Sequence, residues 1–188
     1  MTPQQFKQRA LRGLPDVAGV YALCDLDDVP IYVGKADQSK DTSIRKRVQR
    51  HLTSARSDVI ANRQLDVWEV AFVRGWAVSD ADARTRLEHQ LIHLFDQQSP
   101  LVNGSLPPLP EKLLVTQPEP VAIRVMPPDL LKSRLEPSIR FPRQVETFKQ
   151  LLDYILNVQD KPHLRRALHV HYKRLTRYLE LFDSDGLK

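Results

Sequence analysis

The distribution of proline constrains this chain more than any other feature. Of its 14 prolines, ten lie between Pro100 and Pro142. Proline fixes φ and has no N–H to donate, so such a stretch cannot build long helices or central strands. It is expected to be a linker, or an extended arm packed on a neighbouring domain. The chain thus divides into residues 1–104, a proline-rich segment 105–142, and a C-terminal region 143–188.

The first part has the rhythm of a small mixed domain. Residues 1–15 are a polar lead with room for a turn or two of helix. Gly19–Cys24 is an apolar run of strand formers, Asp25–Asp28 is turn chemistry, and Ile31–Val33 resumes the apolar pattern. Together they read as a β-hairpin. Ile44, Val48, His51, Leu52 and Ala55 recur at helical spacing over 43–56, with Asp41 or Thr42 as a cap. Asp66–Arg74 alternates as a third strand. A helix then runs from a capping-box-like Ser79/Asp82 to about Gln98, burying Leu87, Leu91, Leu94 and Phe95, and Pro100 stops it. After the prolines, two helices are expected at about 143–158 and 162–182. The first carries Val145, Phe148, Leu151, Leu152 and Ile155. The second carries Leu164, Leu168, Tyr172, Leu175, Leu179 and Phe182. Pro162 at a first-turn position makes the pair a helical hairpin. The fold class is α/β of the α+β kind: a three-stranded antiparallel sheet flanked by helices, then a proline-rich segment, then a helical hairpin.

The bulk numbers bound the function. With 188 residues and 41% hydrophobic content the chain can build a real core, and its formal charge of +5 favours an anionic partner. One cysteine, Cys24, excludes an intrachain disulfide and fits a cytoplasmic location. The N-terminus lacks the apolar stretch of a secretion signal, and no run is long enough for a membrane span.

Several polar side chains border the apolar stripes. Tyr21 and Tyr32 stand on the two hairpin strands and share a face if the register allows. Arg47 and His51 are four apart on one helix, so they share a side. Glu88 is flanked by Leu91, Ile92 and Phe95 at helical spacing, and a carboxylate near a core needs a partner or a metal. Asn103 follows in Pro100–Gly104. Singly, each has a structural reading: a strand tyrosine, a solvated arginine, a glutamate paired with Arg84, a turn asparagine. Together they suggest a basic, tyrosine-lined pocket with one carboxylate, suited to a phosphate and a divalent cation. Residues alone do not separate a nuclease from a phosphate-binding module. His89 and His93 have zinc spacing but lack an evident third ligand.

Gly19-Val20-Tyr21 and Tyr32-Val33-Gly34 resemble the two halves of the motif that names the GIY-YIG nucleases. Lys35-Ala36 continues the likeness, and Arg45–His51 resembles the family's arginine helix, with Arg47 as its catalytic arginine. Glu88 and Asn103 match its metal-binding glutamate and terminal asparagine. The resemblance covers about residues 17–104. The stretch Asp37–Thr42 is longer than in the simplest members. Pro30–Ala36 and Pro100–Asn103 are also similar to restriction enzymes of this family.

The resemblance implies a metal-dependent DNA endonuclease. Glu88 would hold Mg²⁺ or Mn²⁺, Arg47 would offset charge on the transition state, and Tyr21 would act as general base with Tyr32 positioning water or phosphate. A free tyrosine has a pKa near ~10, so a basic Tyr21 requires nearby cations, which Lys35, Arg47 and the metal would supply. His51 is the rival base. Arg45, Lys46 and Arg50 are candidates to grip flanking phosphates, as are Arg166, Lys173 and Arg177 on the last helix. DNA is the expected partner. One site per chain implies a homodimer or two successive events for double-strand cutting. A restriction or defence role on duplex DNA leads. The alternatives are a structure- or single-strand-specific repair nuclease and a catalytically silent DNA-binding module.

Overall fold

A computed structural model describes residues 1–37, 42–53, 64–113 and 118–186. It is of the α+β class, with a sheet of four strands rather than three. Helix α1 is Pro3–Leu11, strand β1 Gly19–Cys24, strand β2 Pro30–Ala36, and helix α2 Ile44–Thr53. Strand β3 is Phe72–Ala77, helix α3 Ala81–Gln98, and strand β4 Val121–Arg124. Helices α4, α5 and α6 are Pro128–Leu135, Pro137–Asn157 and Pro162–Gly186. The strand order is β2-β1-β3-β4, every pairing antiparallel.

Strand β1 is central and every residue of it is buried. Its side chains alternate between two cores, as the period of a strand demands. Tyr21 and Leu23 enter one core with Leu14, Ile44, Val48 and Leu52, beneath α1 and α2. Val20, Ala22 and Cys24 enter the other with Leu87, Leu91, Ile92 and Phe95 of α3. A strand covered on both faces is therefore apolar throughout. Gly19 must lack a side chain, because a Cβ there would lie 2.0 Å from the Trp76 carbonyl oxygen. The hairpin turn is held by Asp25, whose Oδ1 accepts from the N–H groups of Asp27 and Val29 at 2.9 Å each. Asp28 takes a left-handed φ of 59°.

Several expectations shift. Residues 67–69 form a 3₁₀ turn capped by Asp66, so the third strand starts at Phe72 and not at Asp66. The caps are Ser43 for α2, whose hydroxyl accepts from Lys46 N–H, and Asp80 for α3. On α3 Leu87, Leu91 and Phe95 are buried as expected, but Ile92 joins them in place of Leu94, which is exposed. Ala55 lies outside the described residues.

The proline-rich segment is more structured than its composition suggests. It supplies β4, which pairs with β3 at the sheet edge, where a strand bordered by Pro118 and Pro120 keeps its own donors available. Helix α5 begins at Pro137 rather than 143 and contains Pro142. That proline lies in the second turn, where it forfeits one hydrogen bond near the helix end. The boundary at residue 104 separates neither sheet nor core. Strand β4 lies beyond it, and Val125 and Val170 pack in the same core as Tyr21.

Helix α6 buries Leu164 of the expected stripe, but its buried face then runs along other residues. Leu164, Ala167, Val170, His171, Arg174 and Tyr178 are buried, while Tyr172, Leu179 and Phe182 are exposed. Val145 of α5 is exposed as well. The buried face meets a polar cluster at the hairpin turn. Arg174 Nη2 donates to Asp25 Oδ2 at 2.7 Å and to the Tyr178 hydroxyl at 3.0 Å. Arg140 of α5 donates to Asp27 Oδ2 at 2.8 Å and Glu69 Oε2 at 3.1 Å. Burial pushes the Glu69 carboxyl up despite the two guanidinium groups. This network fastens the C-terminal helices to the hairpin. Apolar periodicity carries no trace of it.

Candidate active site

The hairpin register builds the first half of the site. Tyr21 pairs with Gly34 and Leu23 with Tyr32. Tyr32 is two residues from Gly34, so both tyrosines project from the same face as diagonal neighbours, with ring centroids 6.3 Å apart. Helix α2 packs across this face and brings His51 to both rings, at 5.7 Å from Tyr21 and 5.3 Å from Tyr32. The Tyr21 hydroxyl and His51 Nε2 are hydrogen-bonded at 2.7 Å. Tyr32 and Arg47 also act on the Tyr21 phenol electrostatically. Gly34 is required beneath this cluster, because a Cβ there would stand 2.6 Å from the Tyr21 hydroxyl oxygen.

Tyr21 is fully buried and Tyr32 is half-buried. Burial first, then Tyr32, push the Tyr21 phenol well above its ordinary value; Arg47 opposes them and is outweighed. The protein's own cations therefore do not by themselves bring Tyr21 into the range of a base near neutrality. In this arrangement the phenol keeps its proton, and it can donate to His51 or accept from it.

The second half of the site is on the other face of β2. Lys35 pairs with Val20, whose side chain enters the α3 core. Its Nζ lies 3.1 Å from Glu88 Oε2 and donates to the Thr85 hydroxyl at 3.2 Å. Glu88 is mostly covered and has no second partner among the described residues, which leaves Oε1 available. The expected structural partner, Arg84, turns away. It binds Asp37 at 2.8 Å and the carbonyls of Val78 and Ser79. The two halves lie on opposite faces of β2, an edge strand of the sheet.

Asn103 is bonded to the backbone of β2. Its amide accepts from Val33 N–H at 3.0 Å and donates to the Val33 carbonyl at 2.7 Å. Val102 N–H donates to the Ile31 carbonyl at 2.8 Å. Asn103 thus pairs with the free edge of β2 as a strand would, and holds Tyr32 and Lys35 in register. Both ends of its amide are spent in a buried place, so it is a positioning residue.

The expected DNA-gripping residues divide. Lys46 and Arg50 are exposed on α2, and Lys173 and Arg177 on α6. Arg45 is committed to the protein: it donates to the carbonyls of Arg12 and Leu14 and pairs with Asp16. Arg166 is likewise committed, to Asp96 at 2.6 Å and the Asn103 carbonyl at 3.1 Å. These bonds give both arginines a structural role within the protein. Most of the stretch Asp37–Thr42 lies outside the described residues, although Thr42 Oγ1 donates to the Asp37 carbonyl at 2.7 Å.

Among the described residues there is no group of three or more His, Cys, Asp or Glu side chains placed to hold a metal. A single carboxylate with a free oxygen still fits Mg²⁺, which keeps several waters and takes few protein ligands. His93 donates to the Pro107 carbonyl at 2.6 Å, so it serves the chain and not zinc. No helix among the described residues is long and apolar enough to cross a membrane. The chain matches no protein-family model, no curated protein and no solved structure.

Proposed function

We propose that this chain is a metal-dependent DNA endonuclease of the GIY-YIG kind. The observation that carries the reading is the clustering of Tyr21, Tyr32, Arg47 and His51 on one sheet face, with the Lys35–Glu88 pair across the same strand. Residues from three separate elements converge on β2, and each is of the type that phosphodiester hydrolysis uses.

A divalent ion held by Glu88 would polarise the scissile phosphate and neutralise the leaving oxygen. Arg47 offsets the charge that builds on the phosphate oxygens. Tyr32, the more accessible tyrosine, orients the attacking water. The proton leaves the water by way of the neighbouring tyrosines, Tyr32 and Tyr21, to His51, which is hydrogen-bonded to Tyr21. Lys35, paired with Glu88 at 3.1 Å, orients the carboxylate that would hold the ion.

Duplex DNA cut at defined sites, in a restriction or defence role, is the primary reading. It rests on the similarity of Pro30–Ala36 and Pro100–Asn103 to the restriction branch. One site per chain makes a homodimer the natural way to cut both strands. The test is incubation of the purified protein with supercoiled plasmid and single-stranded circular DNA, in Mg²⁺ or in EDTA. Discrete Mg²⁺-dependent duplex bands support the restriction reading. Cutting of the single strand alone shifts it to repair or processing. Binding without cutting in any metal leaves a silent DNA-binding protein.

A further inference from the structure

The proline-rich arm and α3 form a groove that Thr85 links, through Lys35, to Glu88. The His93–Pro107 hydrogen bond fastens the arm to α3. Between them lies a groove of about 380 Å³, lined by Thr85, Arg86 and His89 of α3 and by Pro108, Glu111 and Lys112 of the arm. Its walls hold two cationic side chains and an imidazole against one carboxylate.

Arg86 and His89 are half-buried, and neither has a hydrogen-bond or ion-pair partner among the described residues. They are three apart on α3 and so share a side. A guanidinium that has been stripped of part of its water without gaining an acceptor favours an anion, and its planar fork suits a phosphate. Thr85 joins the groove to the site, because its hydroxyl accepts from Lys35 Nζ, which in turn holds Glu88. An anion in the groove is thereby connected, through Thr85 and Lys35, to the carboxylate proposed to hold the metal.

We infer that Arg86 and His89 bind a backbone phosphate of the DNA strand that is cut, adjacent to the scissile one. The inference rests on the nuclease reading and extends it. The arm acts as the outer wall of a strand channel, and Lys112 adds charge from the far side.

The test is an Arg86→Ala/His89→Ala double variant, with Arg86→Lys beside it. Binding of a fluorescein-labelled duplex is followed by anisotropy in EDTA over a range of salt, and cleavage is followed in Mg²⁺. The double variant should bind roughly 10-fold or more weakly. Its log–log salt slope should fall by about 0.9 for each phosphate the protein no longer neutralises. Cleavage should weaken at low DNA and recover as DNA is raised. Arg86→Lys should keep the slope and forfeit part of the affinity, because it keeps the charge and not the fork. Unchanged affinity and slope, in a protein that cuts DNA, would overturn the groove while leaving the nuclease. A slower rate at saturating DNA with unchanged affinity would also overturn it. A wild-type protein that neither binds nor cuts DNA overturns both.

Discussion

The Tyr21 hydroxyl and His51 Nε2 stand 2.7 Å apart, joining the central strand to the helix that crosses it. Strand register sets one partner and helical periodicity the other. Their contact therefore reports that sheet and helix are correctly assembled, and it places an imidazole at the end of a phenolic chain.

Tyr21→Phe tests that chain. Phenylalanine fills the same volume, so the fold should persist with a loss of about 1–3 kcal/mol for the abandoned hydrogen bond. If the hydroxyl passes the water's proton on, single-turnover cleavage should fall by roughly 10²–10⁴. A variant that cuts at the wild-type rate would remove Tyr21 from the proton path.

Gly34→Ala tests the packing beneath the tyrosines. The added Cβ meets the Tyr21 hydroxyl at 2.6 Å and its ring at 2.8 Å, and that ring has no free space to enter. Overpacking should cost about 1–3 kcal/mol. Thermal denaturation measures the cost, and the Tyr21–His51 contact should break before the fold does. Equal melting temperatures for wild type and variant would mean that the ring moves freely.

Arg174→Met tests the attachment of the C-terminal helices. The arginine faces the buried Asp25, with Glu69 at 3.8 Å. Its removal leaves buried carboxylate charge uncompensated, which should cost roughly 3–5 kcal/mol in urea denaturation. A cost below about 1 kcal/mol would show that Arg140 alone carries the cluster.

His171 sets an acid limit on stability. Burial lowers its pKa from 6.5 to about 4, and it is hydrogen-bonded to the Gln64 carbonyl at 2.9 Å. The folded chain keeps the imidazole neutral, so its contribution is complete above the ordinary value. It is lost as pH falls toward about 4, because the unfolded chain takes up a proton that the folded one resists. The loss is at most ~1.4 kcal/mol per pH unit across that window. His171→Gln keeps a donor for Gln64 and does not titrate. The wild type should therefore lose more melting temperature than the variant between pH 7 and pH 5. Parallel curves would contradict the burial of a neutral imidazole.

Legibility in the sequence followed physical cause. The hairpin, α2 and α3 could be read because alternation and helical spacing record which side of each element is buried. Tyr21, Tyr32, Arg47, His51 and Glu88 stood out as polar groups at the borders of those stripes. Strand β4 was hidden because Val121–Arg124 is short and exposed, and only pairing with β3 makes it a strand. The buried face of α6 was hidden because arginine, histidine and tyrosine occupy it, held by Asp25 and Glu69 from far along the chain. Asn103 was legible as a member of the set, but its task is set by β2, whose edge no local pattern marks.

Glu88→Gln bears most directly on the proposed nuclease, because it keeps the size of the side chain and removes its charge. Single-turnover cleavage of plasmid DNA is measured in Mg²⁺ for wild type and variant, with DNA binding measured alongside in EDTA. The wild type should cut only with Mg²⁺, and the variant should be slower by roughly 10²-fold or more while still binding DNA. Cutting that survives in Glu88→Gln, or in EDTA, would contradict a metal held by this carboxylate.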